Sequence, residues 1–541
     1  MRKLLLAVII LSLHFAAGAQ SNLDVYHYRY TISLNDENDS ITAEAGIFFT
    51  IPAGATSARF DLTGITPKGQ GMKVLSVKAL YGWPGEINIK NASFSQTADK
   101  VIIPLEKDMV HGDTASVIIQ YKGIPADGLI ISKNKFGNRT FFGDNWPDRA
   151  HNWLPCHDDP ADKAGVEFLI TAPSHYQVVA NGVQIEETNL LGNKKITHWY
   201  EKVPISPKVM VIGVADFAVN LSGFVNDCIP VYSWVYPEEK EKGFYDYAQA
   251  TGILEFYISH IGPYAYKKLA NVESKTRFGG LENANTIFYA ENSIDGNRTD
   301  EDLLAHEIAH QWFGNMATEK SFAHLWLSEG FASYLTILYM ENKYGIDTAT
   351  AQLREDRARV ISYNQGKSKT VIDTTHNYMA LLNPNSYQKG SWILHMLRSQ
   401  LGDSVFWKCL QTYYATYAGK TADSDDLRRV FEAVSGKDLQ RFFTQWLTKP
   451  GVPNLDMTWT YDDKKKVVSL TVKQLQDDVF SFPLTMAFVS PSGSGFFRKI
   501  QVDKKEETFS LAAPEKPATL SADPLTQLLF KGSVKEGAAG Q

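Results

Sequence analysis

The 541-residue chain is 44% hydrophobic, which is ample for several cores and suggests more than one domain. Its formal charge of −6, or −8 once Arg2 and Lys3 are removed, argues against a nucleic-acid partner. Three widely spaced cysteines, Cys156, Cys228 and Cys409, exclude a disulfide framework and allow one pair at most.

In chain order, residues 1–20 read as a secretory signal. Arg2-Lys3 is the charged start, Leu4 to Ala17 the apolar stretch, and Ala17-Gly18-Ala19 the small-residue cleavage site. The apolar stretch is short for a membrane span, and no later segment has eighteen consecutive apolar residues. The expectation is an exported protein, periplasmic or secreted, with no stable membrane insertion after cleavage.

Residues 21–228 carry a period of two. Tyr28, Tyr30, Ile32 and Leu34 alternate with polar residues, as do Ile41, Ala43, Ala45, Ile47, Phe49 and Ile51. Val117-Ile118-Ile119 and Val209-Met210-Val211-Ile212 add candidate buried strands, so this region is expected to be an all-β domain. Within it, Pro155-Cys156-His157-Asp158-Asp159-Pro160 is rich in metal-ligand types. Those residues are adjacent rather than spaced for convergence, which favours a structural turn.

The composition shifts near 229. Helix-period stretches follow at 243–260, 300–315, 326–343, 347–362, 387–400, 403–417 and 423–434, so residues 229–449 form a mainly helical domain. A small sheet containing Gly279 to Asn283 is expected beside them, with glycines that let another backbone approach closely. From 450 to 541 the period returns to two, with a hairpin turning at Asp462 to Lys466, as in a small β-sandwich. The fold class is therefore multidomain α+β.

The chemistry concentrates between Thr299 and Tyr334. Thr299 and Asp302 have the spacing of a capping box for a helix that carries His306-Glu307-Ile308-Ala309-His310. Positions i and i+4 share a helix face, so the two imidazoles converge, and Glu329 follows as a third ligand. Two imidazoles and a carboxylate suit one zinc ion and leave its fourth position open, the catalytic arrangement. Glu307 is placed to take a proton from a water there, which reads as a zinc hydrolase.

His306 to Asn315, followed by Leu325-Trp326-Leu327-Ser328-Glu329-Gly330-Phe331-Ala332-Ser333-Tyr334, resembles the M1 family of zinc aminopeptidases, the gluzincin group that includes aminopeptidase N and leukotriene A4 hydrolase. Gly279-Gly280-Leu281-Glu282-Asn283 is similar to that family's exopeptidase signature, and Tyr387-Gln388-Lys389-Gly390 to the stretch carrying its transition-state tyrosine. The resemblance implies a thermolysin-like catalytic domain, with zinc on His306, His310 and Glu329 and Glu307 as general base. It further implies Tyr387 as oxyanion donor, Glu282 as anchor of the substrate's amino group, and Gly279, Gly280, Leu281 and Asn283 as backbone positioning. Peptides with a free N-terminus are the implied substrates. The family's further amine contact has no clean counterpart in Phe142-Gly143-Asp144-Asn145-Trp146, where Asp144 is the candidate and Asn145 its rival. Many members also carry a large α-helical C-terminal domain, for which the last ninety residues leave no counterpart, so a less enclosed cleft is expected. Two other readings compete: an endopeptidase or bifunctional hydrolase, against which Glu282 speaks, and a non-catalytic peptide-binding relative, against which Glu307 and Tyr387 speak.

Overall fold

The computed structural model describes residues 23–81, 88–106, 109 and 113–537; the signal reading for 1–20 lies outside these. Period-two segments become strands because alternate side chains then share one buried face. Asp24–Ser33 and Ile41–Thr50 pair antiparallel, with Tyr28 opposite Ile47 and Tyr30 opposite Ala45. Tyr28, Tyr30, Ile32, Ile41, Ile47 and Phe49 are buried, and burying a large apolar side chain contributes roughly 1.5–3 kcal/mol. These two strands lie at the middle of an eight-stranded sheet, and a four-stranded and a three-stranded sheet complete the domain.

The loop at 155–160 is structural. His151 Nδ1 meets Asp158 at 2.7 Å, His157 Nδ1 meets Asp162 at 2.9 Å, and the His157 amide donates to Tyr28 Oη at 3.0 Å. The expected strand at 209–212 is buried but begins only at Ile212. Asn181 takes the place of a neighbouring strand, accepting from the Val211 amide at 2.7 Å and donating to the Val209 carbonyl at 2.9 Å.

The expected boundary at 228 falls between two strands of one sheet. Ala218–Val225 pairs with Ile229–Val235 and joins the next domain's five-stranded sheet, which continues through Leu269–Ser274 and Thr286–Ala290 to Gly280–Leu281 at its edge. A turn at 226–228 connects two strands of one sheet, so it does not separate domains. The helices fall close to their expected positions: Trp326–Tyr344, Ile346–Asn364, Gly390–Leu401, Asp403–Tyr417 and Ser424–Ser435. The stretch 243–260 is two helices, Lys240–Tyr247 and Ala250–His260. A further helix, Gln440–Thr448, was not anticipated, although Phe442, Phe443, Trp446 and Leu447 recur at helical spacing on its buried face.

The last domain is a sandwich of a four-stranded and a three-stranded sheet. Its hairpin pairs Asn454–Asp462 with Val467–Gln474, with Asp462 opposite Val467. Cys156, Cys228 and Cys409 are all free thiols. No helix among the described residues is long and apolar enough to cross a membrane.

Candidate active site

Helix Glu301–Ala309 carries the first two ligand candidates. The expected capping box does not form, because Thr299 Oγ1 is spent on Asp295 and Asp300 takes the N-cap position without a side-chain bond. The helix stops at His310, whose carbonyl accepts from the Asn315 amide at 3.0 Å as the chain turns away. Its C-terminal imidazole therefore stands at the helix end facing Glu329, in the first turn of Trp326–Tyr344.

The three candidate ligands converge. His306 Nε2 lies 3.1 Å from His310 Nε2, and Glu329 Oε2 lies 3.3 Å from each. A tetrahedral ion with ligands at 2.0–2.1 Å has edges of about 3.3 Å, so this triangle fits a zinc ion. Among the described residues it is the one cluster of three such groups close enough to share an ion. His310 Nδ1 faces Ser328 Oγ at 3.0 Å and the Phe313 carbonyl at 3.2 Å; donation to that carbonyl leaves the Nε2 lone pair for a metal.

The electrostatics point the same way. Burial pulls the His310 imidazole down, but the Glu329, Glu282 and Glu307 carboxylates outweigh it and lift it to about 9. Burial raises Glu329, yet His310 and His306 hold it well below the usual carboxylate range. Burial pushes Glu307 well up, opposed by His310 and reinforced by Glu282 and Glu329. Three carboxylates converging on two imidazoles suit added cationic charge.

Two close backbone approaches set the remaining groups. A Cβ at Gly280 would stand 2.3 Å from Glu307 Oε1, so with any other residue there the carboxylate would have to shift from this position. A Cβ at Gly330 would stand 2.8 Å from Gly390 Cα, so helices Trp326–Tyr344 and Gly390–Leu401 touch backbone to backbone. That contact brings the π-helical turn Asn385–Lys389 beside Glu329 and lays the Tyr387 ring parallel to His306, with centroids 5.9 Å apart. Burial, with the charges of Glu329, Glu282 and Glu307, holds the Tyr387 phenol protonated by raising it well above its ordinary value.

Glu282 follows the edge strand Gly280–Leu281 and is 5% exposed. Its Oε1 is buried without a hydrogen-bond partner among the described residues. Its carbonyl is clamped by Asn315 Nδ2 at 2.6 Å and Gln311 Nε2 at 3.3 Å. These two side chains were missed as site residues; the available signal was their place in the run directly after His310. Asn283 is fully buried, and neither of its side-chain amide atoms has a partner among the described residues.

Asp144 does not reach the site. Its carboxylate is ion-paired with Arg149 and accepts from the Arg277 amide at 3.0 Å and from Thr276 Oγ1 at 3.3 Å. Asn145 is equally engaged, donating to the Met210 and Pro207 carbonyls and accepting from Trp153 Nε1. The neighbouring Trp146 does line the cleft, edge-on to Phe278 at 5.8 Å. A basic partner five residues downstream settles Asp144's role, and pairing at that spacing carries no periodic signal. His324 holds Ser424 at 2.8 Å and does not line the cleft.

The three ligand candidates, Glu307, Glu282 and Tyr387 open into one cleft of about 440 Å³, lined also by Gly279 to Leu281. Its far wall is built by Ser333, Thr336 and Met340 of one helix and by Gln352, Asp356 and Arg359 of the next. None of these six was singled out from the sequence.

Comparison with known proteins gives the family and the fold. Residues 245–446 match the Peptidase family M1 domain and residues 25–207 the Peptidase M1 N-terminal domain. Aminopeptidase M1-C of Oryza sativa subsp. japonica is 30% identical over 329 residues, covering 56% of this chain and 36% of that protein. Leucyl aminopeptidase of Saccharolobus solfataricus is 24% identical over 433 residues, covering 74% of this chain and 51% of that protein. The matches thus span between about a third and a half of these relatives. The fold is like that of a crystal structure of Legionella pneumophila aminopeptidase A in complex with aspartic acid, with a TM-score of 0.79 at 17% identity over 96% of this chain and 60% of that one.

Proposed function

The chain belongs to peptidase family M1, and from that membership and the geometry of its cleft we propose that it is a zinc aminopeptidase, releasing residues from the free N-terminus of peptides. The observation that carries the exopeptidase reading is Glu282, whose buried Oε1 has no partner among the described residues. A buried carboxylate is costly unless a cation pairs with it, and a peptide's terminal ammonium supplies that cation. Among the described residues the edge strand leading to Glu282 pairs on one side only, with Gly280 opposite Tyr289 and Leu281 opposite Phe288. Its free edge offers backbone groups to an extended substrate.

His306, His310 and Glu329 would hold the zinc ion, their spacing and donor types fitting it. Bound there, zinc supplies Lewis acidity toward a carbonyl and acidifies water. Glu307, buried on the same helix, accepts the proton lost by the attacking water and returns it to the leaving amine. The Tyr387 phenol donates to the oxyanion that develops on the scissile carbonyl, where one such donor is worth about 2.7–4 kcal/mol. Gln311 and Asn315 fix the backbone of Glu282, and so fix how far a substrate ammonium held by Glu282 lies from the ligand cluster. For localisation we propose export, on the strength of the Arg2-Lys3 start, apolar stretch and small-residue site at 1–20.

A panel of aminoacyl chromogenic amides, free and N-acetylated, with and without a chelator, tests the reading. Losing the partner of a desolvated charge costs about 2–5 kcal/mol, so acetylation should lower kcat/KM by roughly thirtyfold to several-thousandfold. Glu282→Ala should narrow that gap, mainly by slowing the free substrate. A variant that discriminates as strongly as the wild type would remove Glu282 as the amine anchor.

A further inference from the structure

The wall of the cleft opposite Glu282 carries a buried carboxylate that the proposed reaction does not use. The elements stack in order across the site. The edge strand packs on helix Glu301–Ala309, that helix on Trp326–Tyr344, and that one on Ile346–Asn364. In this order of contacts the two helices that carry the ligand candidates come between the edge strand leading to Glu282 and the helix Ile346–Asn364. Gln352, Asp356 and Arg359 recur on one face of that helix and line the same cleft.

Asp356 is only 4% exposed. One of its oxygens accepts from Gln352 Nε2 at 3.0 Å, and among the described residues no hydrogen bond or ion pair reaches the other. A neutral amide one turn away satisfies geometry but leaves the charge uncompensated. Arg359 compensates it only from a distance, with no ion pair to Asp356 among the described residues. Its side chain is 58% exposed and its guanidinium reaches Glu355 at 3.9 Å, as a group at the rim does. Asp302 lines the same cleft and adds a second negative charge. Burial, opposed by Gln352 and Arg359, pushes the Asp356 carboxyl up to about 6, as expected for a carboxylate short of cationic company.

A peptide with its ammonium on Glu282 and its first carbonyl at the ligand cluster must continue away from Glu282, toward this wall. We propose that Asp356 anchors a subsite for a basic side chain, lysine or arginine, at the second residue of the substrate. Met340, Ile337 and Leu303 line the approach and suit the apolar stem of such a side chain, while its charged end pairs with the free carboxylate oxygen. This subsite rests on the aminopeptidase reading and adds to it a preference on the leaving side of the scissile bond.

The test uses zinc-loaded protein and tripeptides Leu-X-Ala, where X is lysine, arginine, norleucine, citrulline or glutamate. Norleucine and citrulline keep the shape and remove the charge. The expected result is a kcat/KM for lysine and arginine at least tenfold above their neutral counterparts, falling to a ratio near one in Asp356→Asn. Equal rates for charged and neutral side chains in the wild type would overturn the subsite. A preference for glutamate would overturn it too, and assign the wall to Arg359. Should Asp356→Asn fail to fold, the wild-type ratio of lysine to norleucine decides alone. If no peptide in the panel is cut, the aminopeptidase reading falls and the subsite with it, whereas cutting without discrimination sinks the subsite only.

Discussion

A methyl group added at residue 280 would stand 2.3 Å from Glu307 Oε1, 2.5 Å from Cδ and 2.6 Å from Cγ. The backbone at Gly280 is not left-handed, so alanine is free to adopt it, and the conflict lies wholly with Glu307. Carbon and its neighbours need about 3.5 Å, so the carboxylate must move by roughly 1 Å. It is 5% exposed and held between helix and strand, so the open direction in which it can yield is into the cleft, away from its present position. A displacement of about 1 Å in a reacting group costs on the order of a hundredfold in rate, equivalent to about 2.7 kcal/mol of activation free energy. Gly280→Ala should therefore lower kcat about a hundredfold while binding zinc normally. At Gly279 a methyl would meet only Leu303 Cδ1 at 3.9 Å, an ordinary contact, so Gly279→Ala alters the same segment without displacing Glu307. Steady-state kinetics, metal content and a melting curve on both variants are the assay. Overpacking costs about 1–3 kcal/mol of stability, so the kinetics belong well below the melting temperature. Wild-type kcat in a folded, metallated Gly280→Ala protein would refute the claim that this strand sets the position of Glu307.

Glu307→Gln should keep zinc and abolish turnover, because an amide cannot accept the water's proton; metal loss in this variant would make Glu307 structural. Glu329→Ala should lose metal and activity together, read by metal analysis, since it removes one of three ligands. Tyr387→Phe should lower kcat by roughly two to three orders of magnitude with little change in KM, and a change confined to KM would take the phenol out of the chemistry. His395, held by Tyr334 Oη at 3.0 Å and the Thr526 carbonyl at 2.8 Å, is pulled by burial from 6.5 to about 4. The unfolded chain then binds this proton near pH 6.5 and the folded chain only near pH 4, so stability must fall as pH drops through that window, by at most about 3 kcal/mol. His395→Gln should flatten that acid limb in denaturant titrations, and an unchanged slope would show that His395 does not set it.

What the sequence determined by itself is what depends on local spacing. The i, i+4 pair His306 and His310 shares a helix face in any context, and period-two runs such as Ile41 to Phe49 bury alternate side chains in any sheet. The hairpin at 462–467 and most helix spans were legible for the same reason. Tertiary structure decided everything that depends on which surfaces meet. Asp144 looked available beside the site, but Arg149 and the 276–277 backbone claim it. The 209–212 segment is buried like a strand, yet side-chain amides from 145 and 181 satisfy much of its backbone. The contact of Gly330 with Gly390, which carries Tyr387 to Glu329, joins residues sixty positions apart. Asp356 lies on an otherwise charged, amphipathic helix where nothing in the pattern separates it from its solvated neighbours. Packing against the cleft alone buries that carboxylate, because desolvation depends on the neighbours in space rather than in sequence.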